Sequence, residues 1–125
     1  MPFCLVVDDS RVVRKVARRI VEDLGFSCEE AEDGQKAYDY CTGTMPDVIL
    51  LDWNMPIMSG IEFLEKLRQM PSGENPKVIF CTTENDMAHI QRAMTAGANE
   101  YIMKPFDSEI IESKFSQIGL IDPAQ

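Results

Sequence analysis

Four short apolar runs, each stopped by a polar residue, constrain this chain more than any other feature. Phe3 to Val7 (FCLVV) closes on Asp8 and Asp9, and Val48 to Asp52 (VILLD) ends on its own carboxylate. Lys77 to Cys81 (KVIFC) closes on Thr82, Thr83 and Glu84, and Glu100 to Met103 (EYIM) runs into Lys104 and Pro105. Short runs without polar alternation suit strands covered on both faces, which is the habit of parallel sheets. A fifth strand, Ser27 to Glu32, is weak by composition. It is placed mainly by its position between a helix stop at Gly25 and the pair Asp33-Gly34.

The segments between the runs carry helical spacing. Ser10 can cap a first helix in which Val13, Val16, Ala17, Ile20, Val21 and Leu24 recur as one inward face. Asp33 can cap a second with Ala37, Tyr40 and Cys41 inward, and Ser59-x-x-Glu62 has the spacing of a capping box ahead of Ile61, Phe63, Leu64 and Leu67. A fourth helix, from about Asp86 to Ala96, directs Ile90, Ala93 and Met94 inward. A fifth, capped by Asp107 or Ser108, does the same with Ile111, Phe115 and Ile118. Five strands alternating with five helices predict an α/β fold, a doubly wound five-stranded parallel sheet with right-handed crossovers. At 125 residues the chain is expected to be one domain, 1–125, with no output domain.

Composition removes several function classes. A net charge of −9 argues against general nucleic-acid affinity, which comes from Lys and Arg neutralising phosphates. No apolar run approaches the roughly 18 residues of a membrane span. Cys4, Cys28, Cys41 and Cys81 are scattered, without C-x-x-C spacing or a signal peptide, so buried, inert thiols in a cytoplasm are expected. Arg11, Arg14, Lys15, Arg18 and Arg19 hold five of the twelve basic residues within nine positions, and a solvated helix face accounts for most of them. Val12 lies off the apolar stripe, one turn from Asp8 and Asp9, and is a candidate partner contact. If the run docks an acidic surface, Arg14 and Arg18 are the candidates to share that role.

In open parallel sheets the site lies beyond the carboxyl ends of the strands. That places Asp8, Asp9, Asp52, Thr82, Thr83 and Lys104 together, with Asp52 offered to solvent. Two or three carboxylates so close repel one another unless a cation sits between them. The candidate ligands are oxygens, with no thiolate at these ends and one His in the chain, which favours Mg²⁺ over Zn²⁺. Mg²⁺ bound this way commonly shares its shell with phosphate oxygens. Lys104 and Thr82 would supply a charge and a hydroxyl to such oxygens, and Asp52 would be the nucleophile, accepting a phosphoryl group as an acyl phosphate.

The Asp8-Asp9 pair, Asp52 in DWNMP, Ser59-Gly60, Thr82 and Lys104-Pro105-Phe106 together resemble the receiver domain of two-component response regulators, most closely its stand-alone chemotaxis-type members. The resemblance spans essentially the whole chain. It implies a flavodoxin-like sheet of order 2-1-3-4-5 and transfer of a phosphoryl group to Asp52 from a histidine kinase or a histidine phosphotransfer protein. It also implies Mg²⁺ held by Asp9, Asp52 and the backbone carbonyl of Asn54, with Asp8 assisting through water, and a cis Lys104-Pro105 bond. Tyr101 matches a switch aromatic that moves with Thr82. Asn54 and Glu84 match positions that influence how quickly the phosphoryl group is lost; both are polar here, implying a short-lived signal. A monomer is expected, and no motif specifies the downstream target.

Three other classes are weaker. A phosphohydrolase resembling the haloacid dehalogenase family would carry a second Asp two residues after the nucleophile, where Asn54 stands. A pseudo-receiver that binds partners without phosphorylation is opposed by the full set of chemical residues. A flavodoxin-like cofactor site would need a phosphate cradle where two aspartates stand instead.

Overall fold

The computed structural model describes residues 2–83 and 87–121. Among them β1 (Phe3–Val7), α1 (Arg11–Asp23), β2 (Ser27–Ala31), α2 (Gly34–Gly43), β3 (Val48–Asp52), α3 (Gly60–Arg68), β4 (Lys77–Thr82), α4 (Met87–Ala96), β5 (Glu100–Met103) and α5 (Ser108–Gln117) follow one another. The strands form one sheet of order β2-β1-β3-β4-β5, every neighbouring pair parallel. This is the doubly wound, flavodoxin-like architecture.

The central strands read as unbroken apolar runs because each feeds two cores. Leu5, Val7, Ile49, Leu51, Val78 and Phe80 point to one face and pack with Ala37 and Cys41 of α2 and Phe63, Leu64 and Leu67 of α3. Their alternates Cys4, Val6, Val48, Leu50, Ile79 and Cys81 point to the other, against Ala17 and Val21 of α1 and Ile111 and Phe115 of α5. Strand β2 is an edge and its burial alternates, which is why its composition is weak. The four cysteines are buried and free. Burial raises each thiol's pKa, Cys41 to about 11 and Cys28 to about 12, which keeps them protonated. Among the described residues no helix is long and apolar enough to cross a membrane.

Three expectations are corrected. Val16 does not join the inward face of α1 and is 47 % exposed. Each residue turns the helix by about 100°, and Val16 falls at the margin of the stripe set by Ala17, Ile20 and Val21, beyond the cover of the sheet. Met94 is 45 % exposed for the same reason, since α4 buries little more than Ala93. The basic run is not simply a solvated face. Arg14, Lys15 and Arg18 all bond Glu30 of β2, at 3.1, 2.9 and 2.9 Å, which fixes α1 to the sheet edge. The predicted start of the fourth helix, Asp86, lies outside the described residues, as does Glu84.

Candidate functional site

Asp52 is the last residue of β3, and the chain turns sharply after it. The Gly60 amide donates to the Trp53 carbonyl at 2.9 Å. A Cβ at residue 60 would lie 2.1 Å from the Asp52 carbonyl oxygen, so only glycine lets the loop close beneath the carboxylate. Ser59 then caps α3 in a capping box with Glu62. Trp53 is buried, its ring 4.9 Å from Phe80 and 5.0 Å from His89 of α4. The loop that follows Asp52 is therefore packed, through Trp53, against the fourth helix. Ile57 in the same loop is 79 % exposed with φ +71, a left-handed conformation unusual for a β-branched residue.

The other strand ends converge on Asp52. Lys104 Nζ donates to Asp8 Oδ2 at 2.7 Å and to Asp52 Oδ1 at 3.1 Å. Its own amide donates to the Thr82 carbonyl at 2.9 Å, tying the end of β5 to the end of β4, and the Lys104-Pro105 bond is cis. Asp8, Asp9 and Asp52 each bring a carboxylate oxygen within 4.8 Å of the others. Asp8 is buried and Asp9 exposed. Asp52 lies deeper than a strand end offered to solvent, with only 7 % of its surface exposed; Lys104 bonds it, and Val13, Ala17 and Phe106 line the same small cavity.

Charge in this mouth is unbalanced: three carboxylates face one ammonium. Burial raises the Asp52 pKa, the neighbouring Asp8 charge raises it further, and Lys104 only partly offsets both, leaving it at about 6. Burial acts against the Lys104 charge as well, but its hydrogen bond to Asp8 and the charge of Asp52 prevail and hold its pKa above the ordinary value. An all-oxygen donor set with an excess of negative charge fits a hard divalent cation such as Mg²⁺.

The remaining predicted residues are distributed around this centre. Thr82 is buried, one residue beyond Cys81, the register partner of Asp52. Asn54 is exposed in the loop after Asp52. Tyr101 is half-buried on β5, its hydroxyl donating to Met103 Sδ at 3.2 Å. Val12 is 73 % exposed and forms, with Val13, Val16, Pro105 and Phe106, one wall of an apolar groove beside Lys104. Arg14 and Arg18 do not reach outward, because both heads are drawn onto Glu30. Glu30 itself escaped sequence reasoning; its one visible signal is the stretch Arg11 to Arg19, which carries five cations and no acidic residue of its own.

Comparison with known proteins points the same way as this geometry. A sequence profile of the response regulator receiver domain matches residues 4–116. A chemotaxis protein CheY homolog of Campylobacter jejuni is 37 % identical over 116 residues, covering 91 % of this chain and 89 % of the relative. The structure of Vibrio cholerae chemotaxis protein CheY4 superposes with a TM-score of 0.89 at 30 % identity, over 94 % of this chain and 98 % of that one. A CheY-like receiver domain protein of Methanospirillum hungatei gives 0.86 at 26 % identity, over 94 % and 93 %. With the profile spanning nearly all of β1 to α5, the chain belongs to the response regulator receiver domain family.

Proposed function

We propose that this chain is a cytoplasmic response regulator receiver that takes a phosphoryl group onto Asp52 from a phosphohistidine, on a histidine kinase or a histidine phosphotransfer protein. The observation that carries this reading is the Asp52 carboxylate, buried at a strand end beside two further aspartates and bonded to Lys104. Asp9, Asp52 and the backbone carbonyl of Asn54 would hold Mg²⁺, with Asp8 assisting through water; when bound, the ion neutralises charge on the phosphoryl oxygens. An Asp52 carboxylate oxygen attacks phosphorus, the phosphorus–nitrogen bond of the donor breaks, and the imidazole leaves. Lys104 is already within reach of Asp52 and can transfer a hydrogen bond from carboxylate to phosphoryl oxygen. Thr82 supplies a hydroxyl to another.

The same contacts supply the switch. Reversing a two-state balance from 1:99 to 99:1 takes about 5.5 kcal/mol, and hydrogen bonds to charged groups contribute about 1.5–3 kcal/mol each. Two or three new bonds, from Thr82, Lys104 and a backbone amide, are sufficient. Tyr101 follows Thr82, and the α4-β5-α5 face, where Met94, Met103 and Ile110 are exposed, is the output surface. Val12 and the groove next to it serve the donor side; Arg14 and Arg18 contribute there by fixing α1 in place. Asn54, polar and exposed after Asp52, leaves room for an attacking water, and Glu84 contributes only by its polar residue type in the sequence; a short-lived phosphorylated state follows from this reading. Similarity to chemotaxis proteins favours a chemotaxis-type output, with the chain acting as a monomer.

Substituting Asp52→Ala tests this reading. Incubated with a cognate phosphohistidine donor and Mg²⁺, the wild-type chain gains one phosphoryl group in intact-protein mass, and the variant gains none. Stoichiometric labelling of the variant would remove Asp52 as the nucleophile.

A further inference from the structure

Asp8 is held at its amide by Ala31 of β2 and at its carbonyl by Arg14 of α1, which is braced on Glu30, the residue before Ala31. Its amide donates to the Ala31 carbonyl at 3.1 Å, continuing the β1–β2 ladder one step beyond the paired residues Val7 and Ala31. Its carbonyl is reached by Arg14 instead of a strand: Nη1 donates to the Asp8 oxygen at 2.8 Å, while Nε donates to Glu30 Oε1 at 3.1 Å. One planar guanidinium thus completes the rung that the end of the sheet leaves open. Glu30 is in turn fixed by Lys15 and Arg18, each at 2.9 Å. The Arg14 side chain retains only 14 % exposure.

The carbonyl that Arg14 holds belongs to the peptide unit joining Asp8 to Asp9. That unit is planar, so holding its oxygen fixes the backbone rotation on both sides and the directions in which the two carboxylates leave the chain. We infer that Arg14 is a positioning residue for the acidic mouth: through the Asp8 carbonyl, braced on Glu30, it sets the affinity of Asp8, Asp9 and Asp52 for a divalent cation. The inference rests on the reading of that mouth as a Mg²⁺ site. A lysine cannot replace this residue, because a single rotatable ammonium does not hold two acceptors in fixed directions.

Two accounts of Arg14 predict opposite signs. If it were merely a nearby positive charge, Arg14→Met would tighten cation binding and Arg14→Lys would leave it unchanged. As a positioning group, its loss weakens binding in both. Removing a partner that orients a metal ligand typically weakens affinity by about 10- to 100-fold. The low end, about tenfold, is expected here because Ser10 and Lys104 still hold the Asp8 carboxylate at 2.9 and 2.7 Å.

The test is a Mg²⁺ titration of the unphosphorylated chain, read by isothermal titration calorimetry and by emission of Trp53, which directly follows Asp52. Arg14→Met, Arg14→Lys and Glu30→Gln are compared with wild type and with Arg19→Met, an exposed control on the same helix. Arg14→Lys, which keeps stem and charge, discriminates between the two accounts, with a thermal melt to verify folding. A dissociation constant raised about tenfold in both Arg14 variants, raised partly in Glu30→Gln and unchanged in Arg19→Met is the expected result. Unchanged or tighter binding in Arg14→Lys and Arg14→Met, with wild type binding normally, overturns the positioning role alone. A wild-type chain that binds no Mg²⁺ even at tens of millimolar overturns both this inference and the cation site beneath it.

Discussion

Glu30 and Asp52 are both acidic residues of the sheet, and the protein treats them in opposite ways. Glu30 receives three cationic partners from α1. Burial alone would raise its pKa, but hydrogen bonds from Lys15, Arg18 and Arg14 outweigh that and bring it down to about 2. Asp52 shares one ammonium with Asp8, with Asp9 close by, and is raised to about 6. The carboxylate that ties α1 to the sheet is over-neutralised, and the one proposed as phosphoryl acceptor is left short of positive charge. The shortage is what an incoming cation and phosphoryl group can use. Arg14 touches both regions, bonded to Glu30 on one side and to the backbone of Asp8 on the other.

Breaking the satisfied region has the largest expected effect on stability. Glu30→Ala removes three charge-assisted hydrogen bonds and leaves three cations facing one another; after allowance for solvent screening the loss is about 2 kcal/mol at neutral pH, read by urea denaturation. Because Glu30 ionises at a lowered pKa in the folded chain, its contribution is present above the ordinary 4.5 and disappears as pH falls toward about 2. The difference between wild type and Glu30→Ala therefore closes in acid. An equal difference at about pH 2 and pH 7 would dissociate the stabilisation from ionisation of Glu30.

The unsatisfied region is next, through proton competition. With Asp52 near 6, about nine-tenths of it is protonated at about pH 5, so Mg²⁺ binding there is expected to be about tenfold weaker than at about pH 7.5. Calorimetric titrations at the two values measure this directly. A pH-independent dissociation constant would place the raised carboxyl outside the cation site.

The smallest effect has the reverse sign to the first. Asp52→Asn removes an ionised group that burial and Asp8 make costly, so the variant melts about 2–5 °C above wild type at neutral pH, the shift expected from roughly 1 kcal/mol in a chain of this size. The folded pKa of Asp52 is raised, so stability from its neutral form is full below the ordinary 3.8 and is lost as pH rises through about 6. The gain from Asn consequently vanishes below about pH 4. A variant less stable than wild type at neutral pH would show that Asp52, like Glu30, is satisfied in the folded chain.

Much of the sheet is readable in the sequence because its central strands are covered on both faces. Unbroken runs such as Leu5 to Val7 and Ile49 to Leu51 admit few other structures, and the residue that stops each run is the residue the sheet presents at its mouth. Asp8, Asp52, Thr82 and Lys104 are legible for that reason. Depth is not: Asp52 shares a small cavity with Val13 and Ala17 of α1 and with Phe106 after β5, and how closely those elements approach it depends on how they pack on the sheet. The Glu30 clamp joins residues 12 to 16 positions apart, and the choice of partner depends on the angle at which α1 lies on the sheet. Arg68 is equally hidden, because it bonds the carbonyls of Gly73, Pro76 and Gly97 and the Asn99 side chain and pairs with no carboxylate in those contacts. Backbone acceptors leave no mark in a sequence. Val16 and Met94 defeat the spacing rule because spacing gives the centre of an apolar stripe, whereas neighbouring elements set its width.

Whether Asp52 is left unsatisfied so that it can accept a phosphoryl group is decided by trapping. The chain is incubated with a phosphohistidine donor and Mg²⁺, reduced with borohydride, which converts an aspartyl phosphate to homoserine, and mapped by peptide mass spectrometry. Homoserine at position 52, formed only when donor and Mg²⁺ are both present, is the predicted result. A phosphoryl group recovered on another residue, with Asp52 intact, would contradict it.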